Sequence, residues 1–264
     1  MTQLNVGIAA SLLCENRLSR RLTGPLPPHA RPENAAEAYD IQDRLHAALT
    51  NRGYGTLCGY KIGCTTRIMQ DYLGIDQPCA GGIFAPKLAT DIAEFQLTDH
   101  CRLGVECEIA VQVGRDLKPE DAPHDRAAVT AAIAAWMPSL EIVEDRYEDY
   151  ESLGAPTLIA DDFFNLACVT APGARPETVP DIGAVEGRLL MNGAEAGRGH
   201  GGDILGDPVE ALLWLANHLG ARGQPLKSGA IVTLGSVVKT VWVDRPTTAE
   251  AVFPALGRVT AVFV

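Results

Sequence analysis

Apolar positions recur with helical spacing over residues 33–53, in ENAAEAYDIQDRLHAALTNRG. The pattern predicts an amphipathic helix that buries Tyr39, Ile41 and Leu49 on one face. Gly53 suits the end of this helix, because glycine readily adopts the left-handed backbone found just beyond helix C-termini. The N-terminal part of the chain is therefore expected to be helical.

A second helix is predicted over residues 207–223, DPVEALLWLANHLGARG. Asp207 is a suitable N-cap, and Pro208 fits the first helical position, where no backbone N–H is needed. The proline-rich stretch GPLPPHARP, ahead of the first predicted helix, is expected to be an extended connection.

From residue 101 onward, short runs rich in β-branched residues predict strands. The clearest are VECEIAVQV, LEIVEDR, NLACVTA and GRLLMNGAEAG, followed by AIVTLG, KTVWV and AVFPALGRVTAVFV. Asn192-Gly193 predicts a hairpin turn within the fourth of these runs. Because helices lead and mostly antiparallel strands follow, the pattern predicts an α+β fold. We expect one catalytic domain over 1–264, with a helical part at 1–55 and a β-rich core from about 56 to 264.

Composition narrows the class of protein. The 264 residues are 47% hydrophobic with a net charge of −11, which suits a globular enzyme and disfavours nucleic acid or anionic membranes as partners. No apolar run reaches the roughly 18 residues of a membrane span. The N-terminal segment has no basic residue before its short apolar stretch, so we expect no signal peptide. Seven scattered cysteines without a C-x-x-C pair predict a reduced cytoplasmic protein with mostly buried thiols.

Two acids stand in the apolar run VECEIAVQV. Glu106 and Glu108 point to the same face of a strand, since side chains alternate, while Cys107 points to the other face. Two close carboxylates repel each other, so solvent, a basic partner or a divalent cation must relieve the repulsion. The motif alone favours an edge strand with one wet face.

A third acid changes this interpretation. Glu141 lies in LEIV, another apolar run, whereas Glu144, Asp145, Glu148 and Asp149 follow in a polar segment that we expect to be exposed. Three embedded carboxylates suit an octahedral hard cation, Mg²⁺ or Mn²⁺. Zinc would be expected to recruit histidine or cysteine instead.

Lys61 lies between apolar neighbours and glycines in GYKIGCTT. It could neutralise a substrate carboxylate, or transfer a proton if burial lowers its pKa. The alternative is an ordinary surface lysine at the end of a strand.

Together these segments resemble a known family. The motifs GYKIG, DQP, VECEIA, SLEIVEDR, LIADD, LGDPVEALLWLANHL and LKSGAIVTLGS occur in order over nearly the whole chain. They resemble the 2-keto-4-pentenoate hydratase and 4-oxalocrotonate decarboxylase group of the fumarylacetoacetate hydrolase superfamily. The resemblance implies a mixed β-roll core with a helical N-terminal part, a bound Mg²⁺ or Mn²⁺, a small-molecule 2-oxo acid substrate and a homo-oligomer.

The resemblance also implies roles for individual residues. Three groups are expected: metal ligands Glu106, Glu108 and Glu141; catalytic residues Lys61, Asp161 and Ser236; and substrate-pocket residues Thr66, Cys79 and Lys239.

Two departures from the family pattern bear on the reaction. The chain reads DQPC where hydratases commonly read DQPD, so Cys79 replaces an acid; Val238 replaces a threonine in GSVVKT, with Lys239 beside it. Loss of the acid weakens hydration more than decarboxylation, and Lys239 could bind a dicarboxylate, whereas the DQP motif favours the hydratases.

The resemblance therefore leads to a metal-dependent lyase. We expect hydration of a 2-hydroxypenta-2,4-dienoate-type substrate in aromatic meta-cleavage catabolism. The alternatives are decarboxylation of 2-oxohex-3-enedioate, a C–C hydrolase or tautomerase on the same scaffold, and an inactive metal-binding member.

Overall fold

The computed structural model describes residues 4–264. The helices of this part are α1 (Val6–Ser19), α2 (Ala35–Asn51), α3 (Arg67–Leu73), α4 (Arg126–Thr130), α5 (Ala155–Ala160) and α6 (Pro208–Ala221). The strands are β1 (Leu57–Gly63), β2 (Cys79–Phe84), β3 (Leu88–Thr90), β4 (Ile92–Phe95), β5 (Leu103–Val113), β6 (Ile133–Glu144), β7 (Asn165–Thr170), β8 (Glu186–Met191), β9 (Ala194–His200), β10 (Ile231–Ser236), β11 (Val241–Val243), β12 (Thr247–Phe253) and β13 (Gly257–Phe263). None of the helices within 4–264 is long and apolar enough to cross a membrane.

The helices form largely where the sequence predicts them. α2 lies within the predicted 33–53 segment and starts after Asn34, whose side chain accepts a hydrogen bond from Glu37 N–H. α6 starts after Asp207, which caps Val209 N–H, with Pro208 in the first position as expected. α1 was not predicted, and it packs against α2. The proline-rich connection also contains a short 3₁₀ turn, so it is not fully extended.

The strands form two sheets. The eight-stranded sheet has the order β2-β1-β10-β5-β6-β7-β3, with β11 paired to β5; the five-stranded sheet has the order β4-β13-β12-β8-β9. Pairing is mostly antiparallel, but β1–β10, β3–β7 and β4–β13 are parallel. The predicted α+β class with leading helices is confirmed. The second sheet packs on β6 through β12 and β13, and one continuous apolar core spans both sheets.

Two strand predictions need correction at the C-terminal end. AVFPALGRVTAVFV is not one strand, since a turn after Phe253 folds it into the β12–β13 hairpin. In KTVWV, only Val241–Val243 pairs with β5, so Lys239 precedes the strand. The β8–β9 hairpin was predicted correctly: Asn192 and Gly193 have φ of +51° and +79°, as a tight two-residue hairpin turn requires.

The acids after Glu141 are not all exposed, contrary to the sequence prediction. Glu148 and Asp149 are exposed, but Glu144 and Asp145 are only 3% and 2% exposed. Glu144 accepts a hydrogen bond from Cys101 N–H and pairs with His100, while Asp145 pairs with Arg102. Burial by itself raises the pKa of Glu144, but these partners outweigh it and lower that pKa to about 2. Ion pairing therefore permits burial of a segment that reads as polar.

Candidate active site

Three carboxylates converge at the centre of the large sheet. Glu106 and Glu108 share a face of β5, and the antiparallel register places Glu106 directly opposite Glu141 on β6. One carboxylate oxygen from each residue lies within 4.8 Å of the others. Strand alternation explains the first pair, and the β5–β6 register brings in the third acid.

This glutamate cluster is an electrostatically unfavourable place for three acids. Glu108 is 1% exposed and Glu141 is 0% exposed, whereas Glu106 is partly open. Burial, together with the charges of the other two glutamates, holds the pKa of Glu108 well above its ordinary value. Burial also raises the pKa of Glu141, against the opposing effect of Lys61. Glu141 Oε2 is buried without a hydrogen-bond partner. The wet strand face that the E-x-E motif alone favoured is absent at Glu108.

Neighbouring polar groups hold the other carboxylate oxygens. Asn165 Nδ2 donates to Glu141 Oε1 over 2.9 Å, Gly235 N–H donates to Glu108 Oε2 over 3.2 Å, and the Thr240 hydroxyl donates to Glu106. Sequence analysis missed Asn165 and Thr240. Both follow segments that carry predicted site residues, but only the fold brings them to the glutamates.

Lys61 is not a surface lysine. It is 3% exposed on β1, and its Nζ lies 3.6 Å from Glu141 Oε1. Nζ also donates to the Phe163 carbonyl over 2.8 Å and lies 5.1 Å from the centre of the Phe163 ring. Burial alone would lower the pKa of Lys61, but Glu141, the Cys79 thiol and the other two glutamates raise it above the ordinary value. Lys61 is therefore a buried cation.

Cys79 lies beside Lys61. It opens β2 opposite Gly63, and a side-chain carbon added at Gly63 would lie 3.3 Å from both Cys79 Sγ and Lys61 Nζ. Cys79 Sγ is 3.6 Å from Cys64 Sγ. Burial by itself raises the pKa of the Cys79 thiol, but contact with Cys64 and the Lys61 charge lower it below the ordinary value. Both cysteines are free thiols, and five of the seven are buried, as the sequence predicts.

The remaining predicted pocket residues surround this centre less closely. Ser236 is opposite Glu108 in the β5–β10 register, and its Oγ lies 2.5 Å from the Val238 carbonyl oxygen. Lys239 is exposed in the loop between β10 and β11. Thr66 is partly buried and caps α3 by accepting a hydrogen bond from Met69 N–H.

Asp161 occupies a different environment from the glutamates. Its carboxylate accepts hydrogen bonds from Arg17 over 2.5 Å, from Arg146 over 3.0 Å and from the Tyr147 hydroxyl over 2.8 Å. The structure thus places Asp161 in a buried ion cluster with α1, not in the glutamate cluster. This pairing with Arg17, 144 residues earlier in the chain, has no local sequence signal.

Fold and site together define a fumarylacetoacetate hydrolase-like architecture, with two mixed sheets, leading helices and acids on adjacent central strands. The family model for the fumarylacetoacetate (FAA) hydrolase C-terminal region matches residues 86–264. The chain belongs to the fumarylacetoacetate hydrolase family, and the fold and family that the sequence motifs indicated are confirmed.

Full-length relatives are hydratases. The chain is 32% identical to 2-keto-4-pentenoate hydratase of Burkholderia vietnamiensis (strain G4 / LMG 22486), over 98% of this chain and 97% of that protein. It is also 32% identical to 2-hydroxyhexa-2,4-dienoate hydratase of Comamonas testosteroni, over 87% and 86%. In fold, it matches 4-oxalocrotonate decarboxylase from Pseudomonas putida G7, complexed with magnesium and adipate, with a TM-score of 0.91 at 24% identity over 98% and 97%.

Proposed function

We propose that the protein is a metal-dependent hydro-lyase that hydrates a 2-hydroxypenta-2,4-dienoate-type acid in aromatic meta-cleavage catabolism. The observation that carries the proposal is the buried cluster of Glu106, Glu108 and Glu141 with Lys61 Nζ 3.6 Å from Glu141. The names of the full-length relatives favour hydration over the other reactions of this architecture.

The residues present fit a divalent cation. Three carboxylates at mutual distances within 4.8 Å offer only oxygen donors, and the unpartnered Glu141 Oε2 is a buried acceptor without a donor. Hard cations such as Mg²⁺ and Mn²⁺ prefer such ligands. We assign Glu106, Glu108 and Glu141 as the ligands. When bound, the cation supplies Lewis-acid polarisation of the substrate's 1-carboxylate and 2-oxygen.

Lys61 supplies a second positive charge at the same place. Because its pKa is raised, it carries a proton at neutral pH and cannot serve as a general base in this state. We assign it to hold the anionic head of the substrate and to stabilise the negative charge that develops on the 2-oxygen. This differs from the proton-transfer role that would follow from a lowered pKa.

Hydration requires a proton at C5, ketonisation at C2, and then addition of water across C3 and C4. Cys79 is the titratable group beside Lys61 on β2, and we assign its thiol to the position of the family's second DQPD acid. We assign Thr66, Ser236 and Lys239 to the pocket wall around the substrate. Asp161 is fully engaged by Arg17, Arg146 and Tyr147, so we assign it a positioning role in place of contact with substrate.

Decarboxylation of 2-oxohex-3-enedioate is the second candidate. Two observations favour it: position 79 is a thiol where hydratases carry an acid, and Lys239 is an exposed cation one residue from Thr240, which contacts Glu106. A cation at the mouth of the pocket would suit the second carboxylate of a dicarboxylic acid.

A side-by-side assay separates the candidates. Purified protein with Mg²⁺ is incubated with 2-hydroxypenta-2,4-dienoate or with 2-oxohex-3-enedioate, and loss of the diene absorbance and release of CO₂ are recorded. We expect the diene to be converted into 4-hydroxy-2-oxopentanoate with little CO₂ from the diacid. Preferential CO₂ release would assign the decarboxylase, and inertness toward both substrates would contradict the lyase proposal.

A further inference from the structure

The segment DDFFN, residues 161–165, has an unusual backbone. Asp162, Phe163 and Phe164 have φ of +55°, +46° and +69°, so three consecutive non-glycine residues adopt the left-handed region. L-residues rarely adopt this region, and strain of this kind persists only where surrounding contacts impose it. The contacts of this left-handed turn therefore indicate what it is held in place to do.

Asp162 anchors the left-handed turn to the N-terminal helices. Its carboxylate is fully buried and accepts hydrogen bonds from Arg17 Nη1 over 2.8 Å and from Gly82 N–H over 2.8 Å, with His46 Nε2 at 2.6 Å. Burial favours the neutral acid, but His46 and Arg17 outweigh it and hold the pKa of Asp162 well below its ordinary value. An ionised carboxylate is thus clamped by α1, α2 and β2.

The backbone of β2 also fits closely against the turn. A side-chain carbon at Gly81 would lie 2.8 Å from the Asp162 carbonyl oxygen, so only glycine allows this approach. The clamp and the tight packing fix the turn on two sides.

The other side of the left-handed turn faces the proposed catalytic centre. The Phe163 carbonyl accepts the hydrogen bond from Lys61 Nζ, and Asn165 donates to Glu141. One short segment therefore holds both members of the Lys61–Glu141 pair. The left-handed φ at Phe163 belongs to the backbone conformation that presents this carbonyl to Lys61.

We propose that Arg17, His46 and Asp162 are positioning residues for the reaction: they clamp the left-handed turn so that Phe163 and Asn165 hold Lys61 and Glu141 in register. The proposal rests on the proposed function in that Lys61 and Glu141 act on the substrate. The clamp links the N-terminal helices, which hold no ligand or cation of the centre, to the geometry of that centre.

The test compares His46→Leu, which removes the donor, with His46→Gln, whose amide can restore a hydrogen bond to Asp162. Leu189→Ala is the matched control, because Leu189 is a fully buried residue on β8 in the second sheet and its truncation destabilises the fold without touching the turn. We expect His46→Leu to lower kcat for the diene at least tenfold with KM changed less than threefold. His46→Gln should recover most of kcat, and Leu189→Ala should retain it well below its Tm.

A substrate-independent readout separates this proposal from the proposed function. Crystal structures of His46→Leu and Asp162→Asn should show the Lys61–Phe163 hydrogen bond lost or lengthened beyond 3.5 Å, even if the wild-type protein does not turn over the diene. If both structures retain that hydrogen bond, or if Leu189→Ala loses as much kcat as His46→Leu at an equal fall in Tm, the positioning role is overturned. Should one variant fail to fold, the other decides the question.

Discussion

Lys61 Nζ lies 3.6 Å from Glu141 Oε1, and both side chains are almost completely buried. Such a pair is retained only where its charges are compensated, because desolvation of each ion costs several kcal/mol. Here Lys61 faces three acids, so the protein alone leaves an excess of negative charge. This imbalance is the physical basis for the proposed cation and for the predictions below.

Replacing Lys61 by Met removes the cation while preserving length. We expect kcat to fall by about 10²- to 10⁴-fold, the range typical of a lost catalytic side chain. Affinity for Mn²⁺ should be kept or strengthened, because a repelling positive charge has been removed from the neighbourhood of the ligands. Steady-state kinetics and calorimetric Mn²⁺ titration measure the two effects. Unchanged kcat would refute the role assigned to Lys61.

Replacing Glu108 by Gln should have opposite effects on the metal-free and metal-loaded proteins. Because Glu108 is buried among like charges, neutralising it should stabilise the metal-free protein by about 1 kcal/mol or more. The same variant should lose the increase in Tm that Mg²⁺ gives the wild type, since a ligand is missing.

Thermal unfolding with EDTA and with excess Mg²⁺ measures both effects of Glu108→Gln. Glu210→Gln on the exposed part of α6 is the control, and it should leave the Mg²⁺ response intact. An equal Mg²⁺-induced shift in Glu108→Gln would contradict the assignment of this ligand.

Glu144 predicts part of the acid sensitivity of the fold. Its folded-state pKa is lowered from 4.5 to about 2, so its contribution to stability is present above the unfolded value and disappears as pH falls from about 4.5 toward 2. A shift of this size corresponds to about 3 kcal/mol. Urea unfolding at pH 7 and pH 3 should show a smaller pH dependence for Glu144→Gln than for the wild type. Identical pH dependence would contradict the buried pairing of Glu144.

Cys79 should influence which reaction dominates. Cys79→Asp restores the acid of the DQPD motif beside Lys61, and we expect hydration of the diene to rise by about tenfold, within the range of acid–base catalysis. Cys79→Ser keeps a small polar group without an acid, and it should fall below the wild type. The assay is diene hydration by each variant under equal Mg²⁺ saturation. A faster Cys79→Ser than Cys79→Asp would contradict the assignment of the thiol to proton transfer.

Local patterns in the sequence predicted the elements whose signals are themselves local. α2 and α6 follow from apolar periodicity and caps, and the β8–β9 turn follows from Asn192-Gly193. The family motifs predicted the fold, and strand alternation placed Glu106 and Glu108 on one face.

Long-range pairings were beyond the reach of those patterns. The burial of Glu144 depends on His100 and Cys101, and the placement of Asp161 depends on Arg17 in α1. Nothing in the residues around position 161 indicates an arginine from another part of the chain. Sequence alone therefore identifies the acids but not the partners that decide their charge and position.

The most direct test of the central claim is a Mg²⁺ titration of diene turnover by protein stripped of metal with EDTA. The account predicts negligible formation of 4-hydroxy-2-oxopentanoate without metal and saturable activation by Mg²⁺ in the wild type. Under the same conditions Glu141→Gln should show no activation. Turnover that is independent of added metal, or full activation of Glu141→Gln, would contradict a glutamate-bound cation as the centre of this enzyme.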